Sequence, residues 1–137
     1  MNRLTFLKKA SLISTLPFFS NSHSLLNFEN YKIGLQLFSV KDAMEKDPVN
    51  TLKSLKEMGY QDFESYGYDA DRKKYYGFSP KEFKTILNDL GLTTSSGHYG
   101  INSLMESSDY KLFKYLDSCI NASLALGDKY IVYPMLN

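Results

Sequence analysis

The 137-residue chain has no tryptophan, a single cysteine, two histidines and only four prolines. One cysteine, Cys119, excludes an intrachain disulfide and a cysteine-built zinc cluster. Its place beside apolar positions of a helical stretch marks it as a buried, inert thiol. No apolar run reaches the roughly twenty residues that span a bilayer. No charge of one sign dominates: the formal net charge is +1, and residues 1–22 carry Arg3, Lys8 and Lys9 with no acid. Taking those three from the sixteen bases leaves thirteen against fifteen acids, so the remainder has no electrostatic footprint for nucleic acid. What is present is ordinary for a globular domain, with 43% hydrophobic and 23% charged residues. Eleven Tyr and nine Phe stand out. Tyr packs in cores and also lines polar pockets, because its ring stacks while its hydroxyl bonds.

The first 22 residues have the three parts of a secretory signal peptide: a basic start, an uncharged apolar stretch over 10–19, and the small-x-small site Ser20-Asn21-Ser22. Arg3-Leu4-Thr5-Phe6-Leu7-Lys8 is similar to a twin-arginine signal in which Leu4 stands where the second arginine belongs. Export to the periplasm or beyond is the expectation, with a linker at 23–30 and the working domain at 31–137.

From there strand-like and helix-like segments alternate. Residues 33–39 (IGLQLFS) read as a strand covered on both faces. Asp47-Pro48 opens a helix in which Leu52, Leu55 and Met58 share a face, and Gly59 stops it. A strand over 61–66 follows. Ser79-Pro80 opens the next helix, with Glu82 completing a capping box, Phe83, Ile86, Leu87 and Leu90 as its buried stripe, and Gly91 as its end. A strand over 92–98, a helix over 108–126 burying Tyr110, Phe113, Leu116, Ile120 and Leu124, and a strand over 130–134 complete the series. Gly59, Gly91 and Gly127 are 32 and 36 residues apart, the period of a βα unit.

Four strands separated by three crossover helices predict a parallel sheet. The strand-to-helix connections 40–46, 67–78 and 99–107 are long and polar, and the return turns are short. That asymmetry favours a (β/α)₈ barrel, whose sites are built from strand-to-helix loops. No glycine-rich phosphate loop follows the first strand, which argues against a nucleotide-binding open sheet. A closed barrel takes roughly 200 to 250 residues, so the expected fold is an incomplete TIM-type barrel of about four parallel strands and three helices. Its open sheet edges invite self-association, and the expectation is that this chain alone is inactive.

Residues 33–42 (IGLQLFSVKD), 55–64 (LKEMGYQDFE), 79–91 (SPKEFKTILNDLG), Gly97-His98 and 126–134 (LGDKYIVYP) resemble, in order and spacing, the sugar phosphate isomerase/epimerase family with its xylose-isomerase-like barrel. The resemblance covers about 31–137 and implies the N-terminal half of that barrel. It implies a carbohydrate or cyclitol substrate and metal-assisted proton transfer next to a carbonyl. It also implies a divalent metal held by Glu, Asp, His and Glu from the barrel's second half, so no metal ligand is assigned in this chain. A keto-sugar lyase or hydratase, a non-catalytic carbohydrate-binding barrel and a remnant remain as alternatives.

The candidate site residues sit at strand ends. Glu64 closes the second strand, where barrels place groups that face substrate; the resemblance makes it the candidate catalytic carboxylate, against a purely structural pairing with a lysine. His98 closes the third strand and is assigned to substrate, since a lone histidine is not a metal site. Gln36 is expected to point inward, because an amide is more easily satisfied in a pocket than beneath packed helices. Tyr66 and Tyr68, in the aromatic loop that also holds Tyr75, Tyr76 and Phe78, are assigned to substrate as well. Stacking on a sugar and anchoring of the loop both account for that crowding.

Overall fold

A computed structural model describes residues 31–134. The expected signal peptide, and the linker up to residue 30, lie outside the described residues. The elements are β1 (Gly34–Gln36), a 3₁₀ turn Leu37–Val40, α1 (Lys41–Lys46), α2 (Pro48–Glu57), β2 (Asp62–Ser65), the short strands β3 (Tyr68–Asp69) and β4 (Lys74–Tyr75), α3 (Pro80–Asp89), β5 (Thr93–His98), a 3₁₀ turn Asn102–Leu104, α4 (Asp109–Leu126) and β6 (Tyr130–Val132). The main sheet is wholly parallel in the order β1-β2-β5-β6, so each strand lies beside its predecessor in the alternation. That is the order of consecutive strands in an α/β barrel. Among the described residues no helix is long and apolar enough to cross a membrane.

The helix starts form as the local sequence dictates. The Asp47 carboxylate accepts from the Asn50 backbone N–H at 3.1 Å ahead of Pro48. Ser79 and Glu82 close a capping box, each side chain accepting from the other's backbone N–H. Hydrogen bonding to Ser79, its side chain first and its backbone N–H second, holds the Glu82 carboxyl below its usual range. α4 ends at Gly127, whose φ of 82° places it in the left-handed region that glycine tolerates.

Several expectations need correction. The first strand ends at Gln36 rather than residue 39: the chain turns there so that Leu37 enters the core while Phe38 stays half exposed, and 40–46 is helical, not a loop. The loop 67–78 contains the antiparallel pair β3–β4, held together where Tyr68 faces Tyr75. In α4 the buried residues are Cys119, Ala122, Ser123 and Leu126, while Tyr110, Phe113, Ile120 and Leu124 are exposed and Leu116 is half-buried. The helix carries two adjacent stripes. The one of small side chains lets it lie close to the sheet, so the bulkier one is turned away. Met58 is exposed too, beyond the last buried turn of α2.

Helices α2, α3 and α4 cover one face of the sheet over a core of Leu52, Phe63, Phe83, Leu87 and Leu92. Cys119 is buried there, and burial pushes its thiol up, away from the reactive thiolate. The opposite face, the one a barrel turns inward, carries Gln36, Asp62, Glu64, Thr93, Ser96 and His98. On these three strands it is polar, with Asp62 bonded to Thr93 near the N-terminal end and Glu64 near the other, and β6 adds Tyr130 and Val132 in register with Ser96 and His98.

Candidate functional site

Alternation along β2 sends Phe63 and Ser65 to the helices and Asp62 and Glu64 to the opposite face. Gln36 pairs in register with Glu64 on β1, so both point the same way. The third strand needs more than alternation. Thr93 pairs with Asp62, and a strict period of two would put Ser95 and Gly97 on that face. A bulge intervenes: Phe63 pairs with Thr94 but Glu64 with Ser96, leaving Ser95 as the extra residue. The bulge flips the remainder of β5, and Ser96 and His98 arrive beside Glu64.

The four side chains form one network at the C-terminal ends of three adjacent strands. The Gln36 amide nitrogen donates to Glu64 Oε1 and lies 3.1 Å from His98 Nδ1. The Ser96 hydroxyl donates to Glu64 Oε2 at 2.9 Å. His98 Nδ1 is 3.7 Å from Glu64 Oε1, too far for a direct hydrogen bond. Glu64 and His98 each keep about a fifth of their side-chain surface exposed, which leaves them reachable from the mouth. A carboxylate has about four acceptor positions, so Glu64 retains capacity for a ligand hydroxyl after binding Gln36 and Ser96.

Aromatic rings wall one side. Phe38 meets Tyr66 edge-on at 5.1 Å and lies nearly parallel to the His98 ring at 6.4 Å. The Lys41 ammonium sits 5.6 Å above the Phe38 ring. The Tyr66 hydroxyl donates to Glu45 at 3.0 Å, and burial followed by that bond raises its pKa. Aromatic rings beside a carboxylate and an imidazole suit a ligand with C–H faces and hydroxyl edges.

Behind the network, Gly97 lies so close to the ring of Tyr99 that an added Cβ would force the ring to move. The Tyr99 and Tyr75 hydroxyls are hydrogen-bonded in the core, where Tyr75 also stacks on Phe83. Tyr75 therefore anchors the loop. Tyr68 belongs with this group: its hydroxyl shares a hydrogen bond with Ser118 at 2.9 Å, and its ring packs on Tyr75 and Tyr99. It borders an open groove of about 790 Å³ against α4 and is not brought together with Glu64. Of the sequence-derived candidates the structure thus gathers Gln36, Glu64, His98 and Tyr66. Ser96 was not among them; a serine offers no sequence signal of its own, and only the bulge brings it to Glu64.

Among the described residues no group of three or more His, Cys, Asp and Glu side chains lies close enough to hold a metal ion. Glu64 and His98 supply two donors at most, and structural zinc takes four protein ligands, catalytic zinc three. The donor set present does not by itself fit the divalent metal that the family resemblance implies.

Fold and site together define an α/β protein of the TIM-barrel type with a polar cluster at the carboxyl ends of its parallel strands. The particular likeness is to sugar phosphate isomerase/epimerase proteins. One solved structure so described, from Parabacteroides distasonis ATCC 8503, is 31% identical with a TM-score of 0.65, covering 77% of this chain and 39% of its own. A second from the same organism is 27% identical with a TM-score of 0.64, covering 77% of this chain and 42% of its own. The chain therefore spans about two fifths of the length of either structure. No protein-family model and no curated protein matches it.

Proposed function

We propose that this chain supplies one wall of the active site of a sugar isomerase/epimerase-like enzyme that moves a proton next to a carbonyl on a carbohydrate or cyclitol. The observation that carries this reading is the convergence of Gln36, Glu64, Ser96 and His98 at the ends of three neighbouring strands, where barrels place their chemistry. Glu64, fixed as an acceptor by two donors, takes a sugar hydroxyl or the proton beside the carbonyl. His98 contacts a neighbouring oxygen, and Phe38 with Tyr66 packs on the C–H face of the ring. The divalent metal of the implied family belongs, in this reading, to ligands other than these four residues. Export would present the protein with unphosphorylated sugars, which supports a neutral substrate. The edges of β1 and β6 and the exposed stripe of α4 support association through those surfaces.

Calorimetric titration with a neutral ketose, a cyclitol and a sugar phosphate tests the reading. Weak saturable binding of a neutral ligand, reduced at least tenfold by Glu64→Leu, is the expected result. Binding that ignores Glu64, or no binding by any of the three, counts against it.

A further inference from the structure

We infer that Gln36 is a positioning residue that locks His98 into one tautomer, with Nε2–H directed away from the network as a hydrogen-bond donor. The amide nitrogen of Gln36 has two hydrogens and no lone pair to offer. One hydrogen is committed to Glu64 Oε1, and the other faces His98 Nδ1 at 3.1 Å. Reversing the amide would set its carbonyl oxygen against the Glu64 carboxylate, which also accepts from Ser96. The neighbours thereby fix which end is nitrogen. Facing a donor, Nδ1 must carry its lone pair, and a neutral imidazole then holds its proton on Nε2.

The ligand chemistry follows from that assignment, and this step rests on the carbohydrate reading above. Glu64 accepts and His98 Nε2–H donates, so the pair matches an α-hydroxycarbonyl: its hydroxyl donates to Glu64 and its carbonyl oxygen accepts from His98. The same proton makes Nε2 unfit to bind a metal, since its lone pair is engaged in the ring. Gln36 also spans the 3.7 Å between Glu64 and His98, keeping a direct pair from closing and filling the acceptor that the ligand needs.

The test is two-bond ¹H–¹⁵N correlation of the histidine rings in the full chain at alkaline pH, where imidazole is neutral, with His23 assigned by a His23→Gln variant. The expected wild-type spectrum shows His98 with a pyridine-like Nδ1 and a protonated Nε2. Gln36→Glu, which presents an acceptor instead of a donor, should move the proton to Nδ1. Gln36→Met should give a mixture of both forms. A wild-type proton on Nδ1 overturns the assignment without any variant, and a tautomer unmoved by either Gln36 variant overturns the positioning role. Neither measurement uses a sugar, so failure of the carbohydrate reading and failure of this one are separately visible.

Discussion

Gly97→Ala probes the contact that sets the end of β5. A Cβ at this position would lie 2.6 Å from Cε2 and from the hydroxyl oxygen of Tyr99, and 2.8 Å from Cζ. Ordinary carbon contacts are about 3.5 to 4.0 Å, so the ring must withdraw by about 1 Å. It has little room, because Tyr99 is only 3% exposed and its hydroxyl is bonded to the fully buried Tyr75. Overpacking of this kind costs about 1–3 kcal/mol, and breaking the tyrosine pair adds about 1 kcal/mol. With a urea dependence of about 1–3 kcal/mol per molar for a small domain, the unfolding midpoint should fall by about 1 M. Far-UV circular dichroism is the suitable probe, since the chain has no tryptophan. Gly100→Ala is the control: nothing lies within 4 Å of the added Cβ, and its effect should stay within about 0.5 kcal/mol. Equal midpoints for the two variants would refute the packing of Tyr99 on Gly97.

Removal of a cap should act locally: Ser79→Ala deletes the acceptor for the Glu82 N–H and should lower stability by about 1 kcal/mol, read from the same urea curves. Alkali should unfold the core through the tyrosine pair. Burial pushes Tyr99 up from 10.0 to about 12 and raises Tyr75 in the same direction, so both stay protonated in the fold after their unfolded counterparts have ionised. Their contribution is complete below about pH 10 and is lost as pH rises through about 12. Thermal melts should show that decline, and Tyr75→Phe should make it shallower; a flat profile across the window would contradict the burial of these hydroxyls.

The features legible in the sequence are those set by neighbours a few residues away. Asp47-Pro48 and Ser79-Pro80 with Glu82 announce their helices because a cap is a local hydrogen bond. The polar amide of Gln36 and the strand-end position of Glu64 were readable too, while the pairing of β1 with β2 is what sets them side by side. His98 is instructive, since its position at a strand end was readable but its facing was not. Strict alternation from Thr93 sends it to the helices, and only the extra residue at Ser95 turns it to Glu64. A bulge depends on how two strands pair, which no single strand records. The α4 stripe was misread because large side chains weigh more in a periodic pattern than Cys119, Ala122 and Ser123, whereas close packing on a sheet selects small ones. Tyr68 looked like a partner of Tyr66 by proximity in the chain. The turn around Asp69, whose carboxylate accepts from the N–H groups of Asp71 and Arg72, instead lies in a hairpin that carries Tyr68 to Ser118.

In the proposed function, Glu64 and His98, joined by Gln36, form a carbohydrate-binding mouth. Its most direct test is to follow the His98 ring signals while a neutral ketose is added to the chain. The expected result is a saturable shift of the Nε2–H resonance that is abolished by Glu64→Leu and absent with a deoxy analogue lacking the hydroxyl next to the carbonyl. A His98 ring that stays unmoved while the ketose binds, or that responds equally to the deoxy analogue, would contradict it.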